Sequence, residues 1–280
     1  AVRVGVFSYV MKPCRKSHLV AEVDKAMGVV RLREQNREFV RTISNELQWA
    51  GDLQERLLEI DYPQSDRLSF SVSYQPLSVL HCGGDYYDVI DLGNDRFVAL
   101  VGDVSGHGAK AAIVTAILKS IISAEYFEKF RTAEFEPGLF LDWLNRRICS
   151  ELKNVPEIVV TFAACLLDLR NGLLSYANAG HPPVVLLRAD SAIELNVEGS
   201  GMGLDEHMFY AEENVEIQKG DKIVLYTDGL VEAPRGTPTD TDLDFGGILV
   251  AHRGGANFNE RVIEAVRGML VDEDFSDDLT

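Results

Sequence analysis

The chain has 280 residues, with 27 Lys+Arg against 44 Asp+Glu and a formal net charge of −17. Hydrophobic residues make up 46% and charged residues 25%, globular usage that argues against disorder. The length suits one large domain with an accessory, or two modest ones. Acidity of this size repels phosphate backbones, which argues against nucleic acid or an anionic membrane as partners. No apolar run approaches the roughly 20 residues of a membrane span. The opening AVRVGVFSYVMKP carries basic residues on both sides of its apolar stretch and does not read as a signal peptide. Cys14, Cys82, Cys149 and Cys165 lie far apart without metal-ligand spacing, a pattern of reduced thiols and a cytoplasmic location.

The charge is uneven. Residues 1–50 hold nine basic and five acidic side chains, whereas residues 201–280 hold six and eighteen, which places a boundary near residues 50–65. In chain order, Ser8–Met11 reads as a short strand ending at Lys12-Pro13. A helix of about three turns follows, with Leu19, Val20, Val23, Ala26 and Met27 on one face. One strand and one helix cannot bury each other, so this piece leans on something else. It resembles the last strand and helix of a two-component response-regulator receiver domain, in which Lys12 would match the lysine that contacts the phosphorylated aspartate. The acidic pocket and phosphoacceptor of that family are not among these 27 residues.

Residues 28–61 form a long helical pattern. Val40, Ile43, Leu47, Ala50, Leu53, Leu57 and Ile60 step by threes and fours, close to a coiled-coil seam, with Asn36 four residues ahead to set register. A homodimer through helix 28–61 is one expectation, and an amphipathic helix packed on its own domain is the other. Gly51 weakens the helix by about 1 kcal/mol relative to Ala and is where a linker would bend. Pro63 closes the segment.

Beyond it, strands are expected at Leu68–Tyr74, Tyr86–Ile90, Arg96–Val101, Val159–Leu169, Leu173–Asn178, Val184–Arg188, Ala211–Ile217 and Lys222–Tyr226. Short turns such as Arg170-Asn171-Gly172 imply antiparallel hairpins. Helices are expected at Gly108–Phe130, Pro137–Leu152 and Asn259–Leu270, and Pro234–Asp244 reads as a polar loop. Strands bunched apart from helices give an α+β layered fold.

Several carboxylates sit beside glycines at strand ends. Asp103 follows Phe97–Val101 in Gly102-Asp103-Val104-Ser105-Gly106-His107-Gly108. Asp228 follows Ile223–Tyr226 in Thr227-Asp228-Gly229. Asp85 and Asp88 lie in Gly83–Asp88, and Asp277 and Asp278 stand together near the end. A sheet fixes the backbone of such an aspartate, and adjacent glycines let a ligand approach. If they converge, they repel one another unless cations neutralise them. An all-oxygen ligand set suits Mg²⁺ or Mn²⁺, whereas zinc normally asks for Cys or His. Any one Asp-Gly pair is ordinarily a turn; all of them having unrelated turn roles is far less expected.

Other motifs fail. His81-Cys82 opens like a cysteine-phosphatase loop, but Asp88 stands where its arginine belongs, and an anion raises a thiol pKa. Gly106–Ala111 matches a dinucleotide fingerprint only loosely, and Ala109-Lys110 is no P-loop. His181 in Ala179–Pro183 reads more readily as a hydrogen-bonded turn histidine than as a catalytic one.

Gly83–Asp88, Asp103–Gly108, Ala179–Pro183, Gly203-Leu204, Gly220-Asp221, Tyr226–Gly229 with Glu232, and Asp277-Asp278 together resemble the metal-dependent PPM/PP2C-type serine/threonine phosphatases, and most closely their bacterial SpoIIE/RsbU-like branch. The resemblance covers about residues 65–280. It implies a PP2C-like α-β-β-α sandwich of two mainly antiparallel sheets with two Mn²⁺ or Mg²⁺ ions between them. The substrate it implies is phosphoserine or phosphothreonine on an anti-anti-sigma (STAS-type) protein, hydrolysed by a metal-activated water without a covalent intermediate. Carried over by motif, Asp103 would bridge the ions, with the Val104 carbonyl as a further ligand. Asp228 and Asp277, with Asp278 beside it, would bind from the other side, and Asp85 or Asp88 would hold the second ion through water. Asp103 and Asp228 thereby become the catalytic pair. His107 stands two residues farther from Asp103 than the equivalent proton donor of eukaryotic members, and their phosphate-binding arginine has no counterpart before Gly83. The family pattern continues past Thr280 into a closing strand, so a trimmed fragment is expected.

The expected organisation is therefore a receiver fragment at 1–27, a helical linker at 28–64 and a phosphatase domain at 65–280. The competing class is a catalytically silent, receiver-controlled adaptor that binds a sigma-factor regulator; retention of every metal aspartate favours the enzyme.

Overall fold

The computed structural model describes residues 7–77, 82–128, 135–153, 155, 158–232, 243–255, 257–270, 275 and 277–280. The chain divides into two compact units, Ala1–Gln48 and Trp49–Thr280. In the first, residues 8–11 pair with no strand among the described residues, so the expected short strand does not form there; an isolated extended segment needs a partner to become one. Helix α1, Lys16–Leu57, runs without a break through the place where a receiver helix and a linker helix were expected to meet. Gly51 lies inside it, where helical turns on both sides and burial offset its propensity cost. The buried positions of its last turns are Gly51 and Gln54, with Leu58 just beyond, whereas the seam residues Val40, Ile43, Leu53 and Leu57 remain exposed.

Among the described residues of the second unit, eight strands and four α-helices build layers. Strands β1 (Tyr86–Gly93), β2 (Arg96–Val104), β3 (Val160–Asp168), β4 (Leu173–Ala179) and β7 (Glu212–Glu216) form one antiparallel sheet in the order β1-β2-β3-β4-β7. Strands β5 (Val184–Arg188), β6 (Ser191–Leu195) and β8 (Lys222–Val224) form a second, in the order β6-β5-β8. Helices α2 (Ala109–Ser120) and α3 (Pro137–Glu151) belong with the first sheet, and α4 (Phe245–His252) and α5 (Phe258–Arg267) with the second.

The two-residue period of a strand produces this layering. On β2, Val98 and Leu100 pack under α2 and α3, while Phe97 joins the core between the sheets. On β3, Phe162 and Ala164 face the helices, while Ala163, Cys165 and Leu167 face the other sheet. On β5, Val184 and Leu186 point to the first sheet and Val185 and Leu187 to α4 and α5. Three apolar cores thus separate four layers, helix–sheet–sheet–helix.

Three expectations change. Residues 68–74 make no ladder; Leu68 and Phe70 pack on the inter-sheet core, and pairing is confined to an isolated bridge from Gln75 to Leu279. The helix expected from Gly108 to Phe130 is α-helical only to Ser120 and continues as a π-helical turn, Ile121–Phe127, beyond which residues 129–130 lie outside the described set. Strand β6 and helix α4 were not anticipated, the first because it is short and exposed, the second because its FGGILVAH sequence has no clear helical polarity. Among the described residues no helix is long and apolar enough to cross a membrane.

Candidate metal centre

Asp103 is the penultimate residue of β2 and pairs in register with Thr161 of β3, so the sheet sets its direction. The chain then turns through Gly106 and Gly108, both at positive φ (91° and 76°), a region glycine enters without strain, and starts α2. Gly84 lies against this turn. A Cβ built on it would stand 2.5 Å from the Val104 carbonyl oxygen and 2.9 Å from Asp103 Oδ1, so only glycine leaves that oxygen pair open. The Val104 N–H donates to Gly84 O (3.2 Å), as does the Thr115 hydroxyl of α2 (2.9 Å).

Asp85 is 1% exposed, and its Oδ2 accepts from the hydroxyls of Thr227 (2.9 Å) and Thr280 (2.8 Å). Asp228 opens a 3-10 turn, Asp228–Leu230, directly after Thr227. Asp278 is buried, and both its oxygens hold main chain: Leu77 N–H donates to Oδ1 (2.7 Å) and Gly84 N–H to Oδ2 (2.8 Å). Asp277 accepts the Asp278 N–H (2.9 Å) and is less buried.

These carboxylates feel one another. Burial, then the charges of Asp228, Asp277 and Asp278, push Asp103 up to about 7. Burial and Asp103 raise Asp85 well above the usual range, partly opposed by its two hydroxyl donors. Asp228 is raised by burial, Glu232 and Asp277. Asp278 is raised by burial, against the pull of the Leu77 and Gly84 N–H groups and of His107. Among the described residues, none of the five takes part in an ion pair with a basic side chain. Nor, among the described residues, do three or more His, Cys, Asp or Glu side chains stand together in metal-chelating geometry. Asp85 and Asp278 turn oxygens to hydroxyl and amide donors. The donor chemistry fits hard divalent cations, since it is all carboxylate and carbonyl oxygen and Gly84 clears the approach to Asp103 and Val104.

The structure does not bring Asp88 to this cluster. It shares the face of β1 that carries Tyr86, accepts from the Tyr86 hydroxyl (3.2 Å) and is paired with Lys119 of α2 at 2.7 Å. Asp85 precedes β1, whereas Asp88 lies within it, two residues from Tyr86 and so on that residue's face. His107 is exposed on the turn after Asp103. His181 is buried, its ring Nδ1 at 2.8 Å from the Thr161 hydroxyl and its main chain locked to the Asn178 side chain. Burial lowers its pKa to about 4, so it is a neutral turn residue. Cys82 is buried beside Asp278; burial first and that charge second raise its thiol pKa, the opposite of an activated nucleophile. His81 lies outside the described residues. Thr227, Thr280, Lys119 and Gln54 were not singled out from the sequence; Thr227 and Thr280 each border an aspartate motif, the one hint available.

Two packed antiparallel sheets between helix layers, with aspartates gathered near their strand ends, define a domain of the PP2C-like phosphatase fold. The chain belongs to the SpoIIE family: the profile described as Stage II sporulation protein E (SpoIIE) matches residues 93–280. It is similar to the phosphoserine phosphatase RsbU of Bacillus subtilis (strain 168), 25% identical over 198 residues, which cover 70% of this chain and 56% of that protein. It is likewise similar to the phosphoserine phosphatase RsbP of the same organism, 26% identical over 200 residues, covering 70% and 47%. The chain therefore spans about half the length of these curated relatives. The SiaA-PP2C domain of Pseudomonas aeruginosa has the same fold, with a TM-score of 0.69 at 20% identity over 85% of this chain and 95% of that one.

Proposed function

We propose that the chain is a metal-dependent protein serine/threonine phosphatase. The observation that carries this reading is the approach of acidic residues from four separate segments, Asp85, Asp103, Asp228 and Asp277-Asp278, around Gly84 and Gly229, with no ion pair to a basic side chain among the described residues. Asp103, the Val104 carbonyl, Asp228 and Asp277 are the residues that would hold Mn²⁺ or Mg²⁺, two ions in all. Asp278 serves better as the clamp between Leu77, Gly84 and the cluster, because both its oxygens already accept backbone N–H groups. Asp85 is oriented toward the cluster by Thr227 and Thr280. When bound, the ions supply Lewis acidity toward phosphate oxygens and acidify water for in-line attack at phosphorus. Asp103 and Asp228 orient that centre from β2 and from the turn after β8, and His107, exposed on the turn after Asp103, is the candidate to give a proton to the departing alkoxide. The buried Cys82 takes no part.

The substrate class in this reading is phosphoserine or phosphothreonine on a STAS-type anti-anti-sigma protein, in the cytoplasm, as the kinship with phosphoserine phosphatases RsbU and RsbP suggests. Residues 1–27 act as the end of a receiver, residues 28–64 as its linker and residues 65–280 as the phosphatase. The exposed seam of Val40, Ile43, Leu53 and Leu57 serves a second copy of α1. Hydrolysis of a phosphoprotein or p-nitrophenyl phosphate, with and without Mn²⁺, on wild type and Asp103→Asn tests the proposal. Turnover that needs Mn²⁺ and Asp103 supports it. No turnover by wild type with Mn²⁺ gives the site to the silent-adaptor reading.

A further inference from the structure

Gln54, near the end of α1, is a polar side chain only 3% exposed. Its carboxamide meets one residue twice: Nε2 donates to Gly83 O at 2.7 Å and Gly83 N–H donates to Oε1 at 3.0 Å. This is the reciprocal pair that one antiparallel strand residue makes with another, so the side chain stands in for a strand beside Gly83, ahead of the point where the β1 ladder begins. Burial of this helix face needs only apolar groups, as Leu58 four residues on illustrates. A carboxamide there matches the two-way hydrogen bonding of a peptide and would cost stability if left unmet.

What Gly83 touches gives the bond its consequence. The next residue, Gly84, donates to Asp278 Oδ2 and accepts from the Val104 N–H and the Thr115 hydroxyl, and Asp85 follows directly. A Cβ at Gly83 would lie 2.0 Å from Asp278 Oδ2, so the strand start is pressed against that carboxylate with no slack. Resting on the metal-centre reading above, we propose that Gln54 is a positioning residue for that centre: it pins the Gly83 peptide, and through it the placement of Asp85, Asp278 and the Val104 carbonyl.

The test is calorimetric titration of the whole chain with Mn²⁺, on wild type, Gln54→Met, Leu58→Ala and Asp103→Asn. Gln54→Met keeps the volume and removes both bonds. Its Kd for Mn²⁺ is expected to rise about ten-fold or more, as for other residues that orient metal ligands. Leu58→Ala empties a fully buried site on the same segment and is expected to lower the melting temperature while keeping the Mn²⁺ Kd within about two-fold. An unchanged Kd for Gln54→Met, or an equal loss for Leu58→Ala, overturns the inference while wild type still binds. Wild type that fails to bind Mn²⁺, or Asp103→Asn that binds as well as wild type, overturns the metal reading itself and this inference with it. If Gln54→Met does not fold, hydrogen exchange on wild type decides: Mn²⁺ should slow exchange both at residues 82–86 and in the α1 turn around Gln54, and no change in that turn refutes the coupling.

Discussion

Replacing Asp103 by asparagine should stabilise the metal-free protein and make it the less stable one once Mn²⁺ is present. Asp103 rises from 3.8 to about 7 through burial and the charges of Asp228, Asp277 and Asp278. At about 1.4 kcal/mol per pKa unit, the full shift corresponds to ~4 kcal/mol of cost to ionise the folded protein. The carboxylate is only half-buried, and solvent at its exposed side screens it, which leaves about 1–2 kcal/mol. The sign follows from linkage. A carboxyl whose folded pKa is raised contributes stability below its unfolded value, and that contribution is lost as pH climbs from about 4 to about 7. The asparagine therefore gains most near pH 8 and almost nothing near pH 4. For a domain of this size, the gain raises Tm by a few degrees, about 2–4 °C per kcal/mol. Mn²⁺ at about one hundred times its Kd adds about 2.7 kcal/mol to a protein that binds it, more than the variant's advantage. Thermal melts of both proteins in EDTA and in Mn²⁺, at acid and alkaline pH, read all four corners. An Asp103→Asn protein less stable than wild type in EDTA at about pH 8, or a gap that does not shrink in acid, refutes the electrostatic reasoning.

Gly84→Ala should fold poorly or lose metal, because its Cβ would fall 2.5 Å from the Val104 carbonyl oxygen; Mn²⁺ calorimetry on the folded fraction should give an affinity at least about ten-fold weaker. Lys119→Met leaves Asp88 buried without its partner at 2.7 Å. Urea titration should show a loss of about 3–5 kcal/mol, while the Mn²⁺ Kd stays unchanged; a changed Kd would return Asp88 to the centre. Asp228→Asn should weaken Mn²⁺ binding, and equal affinity by calorimetry would remove Asp228 from the ligand set. Light scattering should give a dimer for the whole chain that Ile43→Asp dissociates, since Ile43 lies exposed on the α1 seam; a wild-type monomer ends that proposal.

Much of the fold was readable because each strand carries its own two-residue alternation. Val98 and Leu100 against Phe97, or Val184 and Leu186 against Val185 and Leu187, announce strands covered on both faces. Residues 68–74 have the same alternation and make no ladder, because pairing depends on a neighbour the local pattern does not contain. The continuity of α1 across Gly28 was equally hidden: neither a change in charge along the chain nor one glycine interrupts a helix flanked on both sides by helical turns.

By itself the sequence determined the candidate aspartates, since an aspartate beside a glycine at the end of an apolar run, as at Asp103 and Asp228, is a local pattern, and their all-oxygen chemistry. The tertiary structure decided how those residues divide their work. Asp85 and Asp88 look alike in Gly83–Asp88, yet the hydroxyls of Thr227 and Thr280 face the first, and Lys119, on a helix 31 residues away, draws the second into an ion pair. Asp277 and Asp278 are chemically identical neighbours, and only the amides of Leu77 and Gly84 distinguish the buried clamp from the freer carboxylate. Gln54 reads as one polar residue of a long helix until Gly83 is placed beside it. In each case the deciding partner is distant in sequence, and a carboxylate or amide takes its role from the charge or hydrogen bond that faces it.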